Sequence, residues 1–430
     1  MEFIVNNLDA ISLIALAVAI VISIWKKINL GILSLALAFV IGVLLGGKTP
    51  KEIVAGYPAD LLITLLGISF FFGIANTNGT MEKLMKYAVK SVRGKVGLLP
   101  IVIFFAAAIV SSVGAGQIST AAMFASPALL LATETGINPL LMAVMVGCGA
   151  QAGIMSPLCP NGIVGNRVIA EMGITEDYSI QFWLHTLVAF LIAALVSYFI
   201  YGGTKLWRKD VSGINLESFQ NITIEPFDKK QKVTLGTIIL LIVLAIGFRL
   251  HVGFTALVIS SVLLLAGMVN ENECFKNIPW KAIVLVTGVS VLVSLMKNIG
   301  GLDLFSSIIA SMSTPFTVTL VVGFIAALVS AYASTSGVIL PAFLPMIPSL
   351  VDKLGGGPSM VTALIFTVAV AGHLTDVSPL STTGAVIVAG APKGVNEGKL
   401  YSGLLVFGFA MSVFAALYCW LAYTVLGVGV

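Results

Sequence analysis

Ten long apolar runs dominate this sequence and constrain its fold more than any other feature. Each run comes close to the ~20 residues that an α-helix needs to cross the hydrocarbon core of a bilayer. Charged residues make up only 10% of the chain, against about 25% in soluble proteins, so they are too few to cover a surface that faces water. We therefore expect an all-α polytopic membrane protein whose partner is the lipid bilayer, and we exclude a soluble enzyme and a nucleic-acid binder. The runs are 9–25, 28–46, 61–77, 138–158, 181–204, 233–249, 253–269, 281–297, 359–377 and 400–427.

Two further apolar stretches, 98–133 and 316–351, differ from these runs. Each has 36 residues, which is too short for two comfortable crossings of ~20 residues. Small polar residues interrupt each stretch near its middle, at 114–120 and at 333–337. Irregular backbone at membrane depth is tolerated only inside protein or beside a water-filled cavity. We interpret both stretches as re-entrant helical hairpins; two short spanning helices in each is the alternative.

The distribution of basic residues favours the hairpins. With ten spans, two hairpins and the N-terminus outside, 17 of the 23 Lys and Arg residues fall on the cytoplasmic side, as the positive-inside rule requires. Counting each hairpin as two crossings would separate the basic loop 205–232 from the basic cluster 82–95. We therefore predict a multi-pass protein of the bacterial inner (plasma) membrane, with both chain ends extracytoplasmic. The six basic residues left outside are Lys48, Lys51, Arg167, Arg249, Lys297 and Lys353.

The two halves of the chain match one another at an offset of about 220 residues. Leu30-Gly31 answers Val252-Gly253, Gly67 and Ser69 answer Gly288 and Ser290, and Ser156-Pro157-Leu158 answers Ser378-Pro379-Leu380. Five spans in each half make the repeats inverted, and inverted repeats with broken helices are typical of secondary transporters. We predict a first repeat over 1–204 (hairpin 98–133, broken helix 138–170), a cytoplasmic linker over 205–232, and a second repeat over 233–430 (hairpin 316–351, broken helix 359–390).

The two predicted breaks, 156–162 and 375–384, contain the chemistry. Pro157 and Pro160 each remove a backbone donor and obstruct a helical hydrogen bond. Helices that restart after a break point N–H groups and positive dipole ends at the membrane interior, where an anion can bind, and the freed carbonyls suit a small cation. Asp376 is the one acid deep in an apolar segment, with His373 three residues earlier on the same predicted helical face. An intramembrane acid suggests a functional site; Asp376 could ligate a cation, carry a proton or have a structural role.

At these residues the chain resembles a known family. Its first half, over residues 10–170, is similar to the malonate/dicarboxylate carriers of the MatC type, a group that resembles the divalent-anion/sodium symporters of the ion-transporter superfamily. The stretches that carry the resemblance are Gly56-Tyr57-Pro58-Ala59, Leu65-Leu66-Gly67, Asn78-Gly79-Thr80, Gly114-Ala115-Gly116 and Gly149-Ala150-Gln151-Ala152-Gly153 followed by Ser156-Pro157.

The superfamily's own motifs are kept only in part. Its hairpin tips typically read Ser-Asn-Thr; Ser334-Thr335-Ser336 is a near match, whereas Gly116-Gln117-Ile118 departs from it. Its broken helices often carry Thr-Pro-Pro-Asn; Cys159-Pro160-Asn161 keeps the last two residues, whereas Ser381-Thr382-Thr383 lacks the prolines.

The resemblance implies a symporter that takes up malonate or a C4-dicarboxylate with Na⁺ or H⁺. It implies a homodimer with an elevator mechanism, in which spans 1–3 and 6–8 form the scaffold and the hairpins move with spans 4, 5, 9 and 10. It implies no cofactor beyond a coupling ion, for which Na⁺ is favoured. The residues implied for the anion are Gln117, Ser119, Thr120, Asn161, Thr335, Ser336, Ser381, Thr382 and Thr383, and those implied for the cation are Gly116, Ser156, Ser334, Asp376 and Ser378.

Two alternatives stay open at this point. An Na⁺/H⁺ or other ion antiporter of the same superfamily would be expected to bring more than one buried carboxylate, and the spans offer only Asp376. An intramembrane enzyme that uses His373 and Asp376 would need a nucleophile or a metal-binding set, and the chain has three histidines in all. We therefore expect a carrier and no enzymatic activity.

Overall fold

The structure is a computed structural model that describes residues 7–26, 28–90, 96–208, 225–248, 250–331 and 335–430. Within these ranges the chain is helical and contains no strand. The helices of the first half are α1 (Leu8–Lys26), α2 (Leu30–Phe39), α3 (Pro50–Val54), α4 (Ala59–Thr77), α5 (Thr80–Lys90), α6 (Leu99–Val110), α7 (Gly116–Thr135), α8 (Pro139–Ala152), α9 (Pro160–Glu171) and α10 (Ser179–Ile200).

The second half repeats this succession of long and short helices. They are α11 (Lys229–Ile242), α12 (Val252–Leu265), α13 (Glu271–Lys276), α14 (Trp280–Asn298), α15 (Gly301–Ser311), α16 (Val318–Ser330), α17 (Leu340–Phe343), α18 (Ile347–Leu354), α19 (Pro358–Leu374), α20 (Thr382–Ala389) and α21 (Glu397–Cys419). Wider π-helical turns occur at Val40–Leu45, Ser111–Ala115, Val243–Gly247, Thr335–Ile339 and Trp420–Val425, and tighter 3₁₀ turns at Val96–Leu98, Gly203–Arg208 and Leu344–Met346.

The predicted all-α polytopic membrane fold is confirmed. In the described part of the chain, six helical stretches are long and apolar enough to cross a bilayer: Ala59–Thr77, Val96–Thr135, Ser179–Ile200, Trp280–Asn298, Thr335–Leu354 and Glu397–Val425. The other predicted spans coincide with the helices α1, α2, α8, α11, α12 and α19, of which all but α1 have 17 residues or fewer.

The centre of the protein consists of α8 and α19. Every residue over 141–152 in α8, and every residue over 363–374 in α19, is buried. A helix that is apolar and buried on all sides lies in the core. The long helices α10 and α21 instead leave large apolar side chains exposed, such as Val188, Phe199 and Val406, as helices that face lipid do.

Paired glycines bring two sets of helices into close contact. A Cβ atom on Gly288 of α14 would lie 2.3 Å from the carbonyl oxygen of Gly31 in α2, and a Cβ atom on Gly67 of α4 would lie 2.2 Å from that of Gly253 in α12. Only glycine allows backbones to approach so closely, which is how small residues pack membrane helices. Each pair joins one half of the chain to the other, and the two pairs use the same four positions that match between the halves.

Polar contacts gather at two opposite ends of the bundle. At one end, the Lys83 ammonium donates to Gln231 Oε1 at 2.8 Å, and Asn78 Nδ2 donates to Thr234 Oγ1 at 2.7 Å. These contacts join the start of α5 to the start of α11, two regions that the sequence assigns to the cytoplasm. Of the basic residues predicted for that side, Lys27, Arg93, Lys95 and Lys209 lie outside the described residues.

The other end carries residues that the sequence assigns to the outside. Asp60 lies 2.7 Å from His251 Nε2 and 3.6 Å from Arg167 Nη1, and Arg167 also pairs with Glu171 at 3.1 Å. The Lys297 ammonium donates to the Glu171 carbonyl at 3.3 Å. Arg249, which was predicted on this side, lies outside the described residues. The two sets of polar contacts are thus separate, and which set faces the cytoplasm stays a prediction.

Each predicted hairpin has a short first arm. α6 has 12 residues and α16 has 13, so at about 1.5 Å per residue each rises roughly 18–20 Å, less than the ~30 Å of a hydrocarbon core. The first hairpin then turns through Ser111–Ala115, where Gly114 has φ 110° and Gly116 has φ 73°, values open mainly to glycine. The second turns through Thr335–Ile339, after residues 332–334, which include Ser334 and lie outside the described residues.

Candidate functional site

One cavity of about 770 Å³ collects most of the predicted site residues. Part of its lining comes from the end of α1, the start of α2, α4, the segment before α14 and the start of α14. The rest comes from both hairpin turns, the start of α7, the second break and the starts of α9 and α20. The predicted residues in its lining are Gly116, Gln117, Ser119, Asn161, Ser336, Asp376, Ser381, Thr382 and Thr383.

Four predicted residues are buried but do not line the cavity. Thr120 is fully buried, and its hydroxyl has no hydrogen-bond partner in the described part of the chain. Ser156, Thr335 and Ser378 lie behind the cavity wall, where they bond other parts of the two breaks and turns. Ser334, the fifth predicted residue that is not in the lining, falls among residues that the structure does not describe.

The two breaks have the same backbone. Residues 153–159 separate α8 from α9, and residues 375–381 separate α19 from α20. In the first segment Cys159 N donates to the Ser156 carbonyl at 3.0 Å; in the second, Ser381 N donates to the Ser378 carbonyl at 2.9 Å. The side chains of Ser156 and Ser378 accept from the backbone two residues on, at 3.2 and 3.3 Å. All these partners are 222 positions apart.

Proline and glycine explain why the helices stop and restart here. α9 begins at Pro160, whose missing N–H is not needed in a first helical turn. A Cβ atom on Gly162 would lie 2.4 Å from the Ser156 carbonyl, and one on Gly384 would lie 2.1 Å from the Ser378 carbonyl. Each glycine therefore lets the restarting helix fold tightly against the segment before it. The starts of α9 and α20 both face the cavity, so their free N–H groups and positive dipole ends are available there.

Each break is tied to its own hairpin, the first to the turn and the second to the arm α16. In the first half, Ser156 Oγ donates to the Ser112 carbonyl, and Cys159 Sγ donates to the Ser111 carbonyl at 2.7 Å. In the second half, Thr375 Oγ1 donates to the Ala327 carbonyl of α16 at 2.9 Å. Hydrogen bonds therefore link each broken helix to the hairpin beside it.

Asp376 sits in a cluster of oxygen atoms. Its Oδ1 lies 3.1 Å from Ser330 Oγ, and its Oδ2 lies 3.0 Å from Thr335 Oγ1. Thr335 Oγ1 is also 2.8 Å from the Gly372 carbonyl and 2.7 Å from Ser330 Oγ. Two hydroxyl groups bring two hydrogens to these four oxygen–oxygen contacts. A proton on the carboxyl group supplies a hydrogen for one more of these contacts, and a cation among the oxygens relieves the repulsion in the others.

The neighbours of Asp376 differ from those expected. α19 ends at Leu374, so Asp376 lies in the unwound segment and not on one helical face with His373. The hydroxyls of Thr375 and Ser378 bond the backbone elsewhere, and Ser330 and Thr335 of the second hairpin contact the acid instead. The expected shared face was wrong because the break rotates the chain between the two residues.

Two buried hydrogen bonds join the breaks to each other. Gln151 Nε2 at the end of α8 donates to Thr383 Oγ1 of α20 at 3.1 Å. Asn161 Nδ2 of α9 lies 2.9 Å from His373 Nε2 at the end of α19. We call these the two bridging bonds. Gln151 was not among the site residues predicted from the sequence, although it precedes His373 by 222 positions, which is the repeat spacing.

The cavity also has polar lining that the sequence analysis missed. Lys276 and Lys281 lie at its edge, and both are exposed. Lys276 pairs with Glu273 at 2.6 Å, whereas in the described part of the chain no ion pair involves Lys281. In the sequence, both lysines indicated only which side of the membrane their loop occupies. Lys276 lies one helix turn before α14, and Lys281 lies at its start. These positions were the sequence signal that could have placed both lysines near the cavity.

Comparison with known protein families gives a match to the N-terminal part of the chain. Residues 6–154 match the family model described as the dicarboxylate carrier protein MatC N-terminus. This confirms, for the N-terminal third of the chain, the MatC-type resemblance seen in its motifs. No curated protein matches the chain. The matched region ends at the first break and includes α1–α8, with the first hairpin turn.

Proposed function

We propose that this protein is a secondary carrier that takes up a small dicarboxylate, such as malonate or a C4-dicarboxylate, by symport with Na⁺ or H⁺. The observation that carries the proposal is the meeting of two helix starts, two hairpin turns and the Asp376 cluster at one cavity, in a chain that begins with a MatC-type region. The cavity volume of about 770 Å³ falls within the roughly 300–1,000 Å³ of small-molecule sites.

The anion is bound without a deep positive side chain. The starts of α9 and α20 offer backbone N–H groups and partial positive charge. Amide and hydroxyl groups around them come from Gln117 and Ser119 at the start of α7, Ser336 of the second turn, and Ser381, Thr382 and Thr383 at the start of α20. Lys276 and Lys281 at the cavity edge raise the local concentration of a dianion.

The cation is bound by oxygen atoms. The cluster of Asp376, Ser330 and Thr335 has more oxygen contacts than hydrogens, so it gains from a cation or a proton. A carboxylate with hydroxyl neighbours suits a hard ion such as Na⁺. A cation next to the anion raises the affinity for the anion, and this mutual effect couples the two.

An elevator movement and a homodimer complete the proposal. The cavity separates α4, α13 and α14 from the broken helices and turns. Hydrogen bonds connect each turn to its break and each break to the other. This supports a moving unit made of both hairpins and both broken helices, carried past a scaffold that includes α2, α4, α12 and α14. The cavity edge at Lys276 and Lys281 is then on the cytoplasmic side.

The test is uptake of a panel of labelled dicarboxylates into proteoliposomes that contain the purified protein, with Na⁺ and pH gradients imposed separately. We expect concentrative uptake of a C3 or C4 dicarboxylate with one of the two gradients and none of a monocarboxylate of similar size. Gradient-driven exchange of Na⁺ for H⁺ without any dicarboxylate would instead favour the antiporter, and absence of uptake across the panel would contradict the proposal.

A further inference from the structure

The two bridging bonds occupy equivalent places in the two halves. Gln151 and His373 are 222 positions apart, and so are Asn161 and Thr383. Each bond runs from the last turn of one core helix, α8 or α19, to the first turn of the helix that restarts in the other half. Asn161 and Thr383 line the cavity, whereas Gln151 and His373 are fully buried behind it.

The hydrogen bonds of His373 fix which atom of Asn161 it contacts. His373 Nδ1 lies 2.6 Å from the Ala369 carbonyl, and a carbonyl only accepts, so Nδ1 carries a hydrogen. In the described part of the chain no acid forms an ion pair with His373, and a fully buried imidazole without such a partner is neutral. Its Nε2 is then an acceptor, and the Asn161 group that faces it is the NH₂ group. The carbonyl oxygen Oδ1 of Asn161 is left for the cavity.

Gln151 leaves a donor, and not an acceptor, facing the cavity at Thr383. Its NH₂ group donates to Thr383 Oγ1 at 3.1 Å, and its Oε1 is buried without a hydrogen-bond partner in the described part of the chain. The Thr383 oxygen already accepts this hydrogen bond, and its own hydrogen has no other acceptor in the described part of the chain. The hydroxyl group can therefore donate into the cavity.

We propose that Gln151 and His373 are positioning residues that give the two halves of the cavity opposite polarity, with Thr383 donating to the substrate carboxylate and Asn161 Oδ1 binding a sodium ion. This rests on the proposed symport. An ionised dicarboxylate has only acceptors, so it gains nothing from Asn161 Oδ1, while an amide oxygen is a good ligand for a hard cation. Asn161 therefore moves from the anion set, where the sequence placed it, to the cation set.

The pair of core residues can achieve this because they differ chemically at equivalent positions. A glutamine amide donates from nitrogen, whereas a neutral imidazole with hydrogen on Nδ1 accepts at Nε2. The same backbone geometry thus presents a donor on one side and an acceptor on the other. Both bonds are buried, so water does not compete for either partner.

The experiment measures two constants in the purified full-length protein, reconstituted or in detergent. They are the Na⁺ concentration for half-maximal effect at saturating succinate, and the succinate concentration for half-maximal effect at saturating Na⁺. Each is read from uptake and, independently of transport, from the rise in melting temperature that a bound ligand causes. His373→Leu frees the Asn161 amide to rotate, and Gln151→Met frees the Thr383 hydroxyl.

We expect each of the two variants to change a different one of the two constants. His373→Leu raises the Na⁺ constant about tenfold, the loss expected for one hydrogen-bonding group, and changes the succinate constant less than about twofold. Gln151→Met raises the succinate constant about tenfold and changes the Na⁺ constant less than about twofold. His373→Gln keeps an acceptor for Asn161 and restores the Na⁺ constant. Thr367→Val is the matched control, because it removes a buried hydroxyl of α19 that bonds only its own helix at 2.7 Å, and it leaves both constants unchanged.

Three results would overturn the proposal. The first is that both constants change together in each variant, which would make the bridging bonds purely structural. The second is that neither constant changes in either variant. The wild-type protein could take up succinate with no response to Na⁺, which would remove the sodium ligand. Should His373→Leu fail to fold, Asn161→Ala tests the same cation role. A wild-type protein that neither takes up nor is stabilised by any dicarboxylate contradicts the proposed function instead.

Discussion

The first and second breaks have the same backbone and different chemistry. Both interrupt a buried helix, and both use a serine, a proline and a glycine at matching positions. Where the second break has Asp376, the first has Ile154. Where the first has Pro160 and Asn161, the second has Thr382 and Thr383. The repeated backbone therefore forms the shape of the site, and the residues that differ divide its functions.

The glycines test whether the two backbones are equivalent. Gly384→Ala puts a methyl group 2.1 Å from a backbone carbonyl oxygen, and Gly162→Ala puts one 2.4 Å from another. Each substitution should therefore lower the free energy of unfolding by about 3 kcal/mol. Thermal unfolding in detergent measures this. Gly236→Ala is the control, because a Cβ atom there meets nothing within 4 Å. A large loss at only one of the two glycines would show that the breaks are not equivalent.

Asp376 tests the chemical difference between the breaks. Asp376→Asn removes the charge but nearly keeps the shape, and should reduce concentrative uptake about a hundredfold, since interactions of a charged group are worth roughly 1.5–3 kcal/mol. If the acid binds Na⁺, the variant loses Na⁺ dependence; if it carries a proton, it still exchanges substrate but loses accumulation driven by a pH gradient. Ile154→Val, at the matching position, should have little effect. Normal uptake by Asp376→Asn under both gradients would exclude this residue from the mechanism.

The hairpin turns test whether both halves bind the anion. Gln117→Ala, directly after the first turn, and Ser336→Ala, in the second turn, each remove a polar group from the cavity lining, and each should weaken substrate affinity about tenfold. Apparent affinities from proteoliposome uptake measure the effect. Equal losses would mean that both halves share the anion, and unchanged affinity in both variants would mean that the turns have a structural role.

The starts of α4 and α14 give the comparison with the smallest expected effect. Lys281 in α14 and Asp60 in α4 are 221 positions apart, as are Gly288 and Gly67. Asp60 pairs with Arg167 and His251 at one end of the bundle, whereas Lys281 lies at the edge of the cavity. Lys281→Gln should raise the half-saturating dicarboxylate concentration about threefold at low salt and less at ~1 M salt, where charges are screened.

The side of the membrane from which substrate is supplied gives the Lys281 prediction a second test. The change should appear only when substrate is supplied from the side on which Lys281 lies, in vesicles of known orientation. Asp60→Asn should not alter the constant on that side. A salt-independent effect, or an equal effect from both sides, would contradict a steering role for Lys281.

The sequence determined the architecture by itself. Apolar run lengths and scarce charge were sufficient for an all-α membrane fold, because a bilayer accepts only long apolar helices or closed barrels. Matching Gly, Ser and Pro residues located both breaks, because these residues act on the backbone within a few positions of themselves. Most of the site residues that were predicted from the sequence, including Gln117, Ser336 and Asp376, line the cavity.

Only the tertiary structure decided which side chains meet. The bridging bonds join residues 232 and 212 positions apart in the chain, and no local pattern specifies such a pair. The neighbours of Asp376 were missed because the break turns the chain after Leu374, so helical spacing no longer predicts direction. Lys281 was missed because the cavity edge is created by packing α14 against other helices. Local rules fix where a helix stops, whereas the partners of a buried polar group depend on how the whole chain packs.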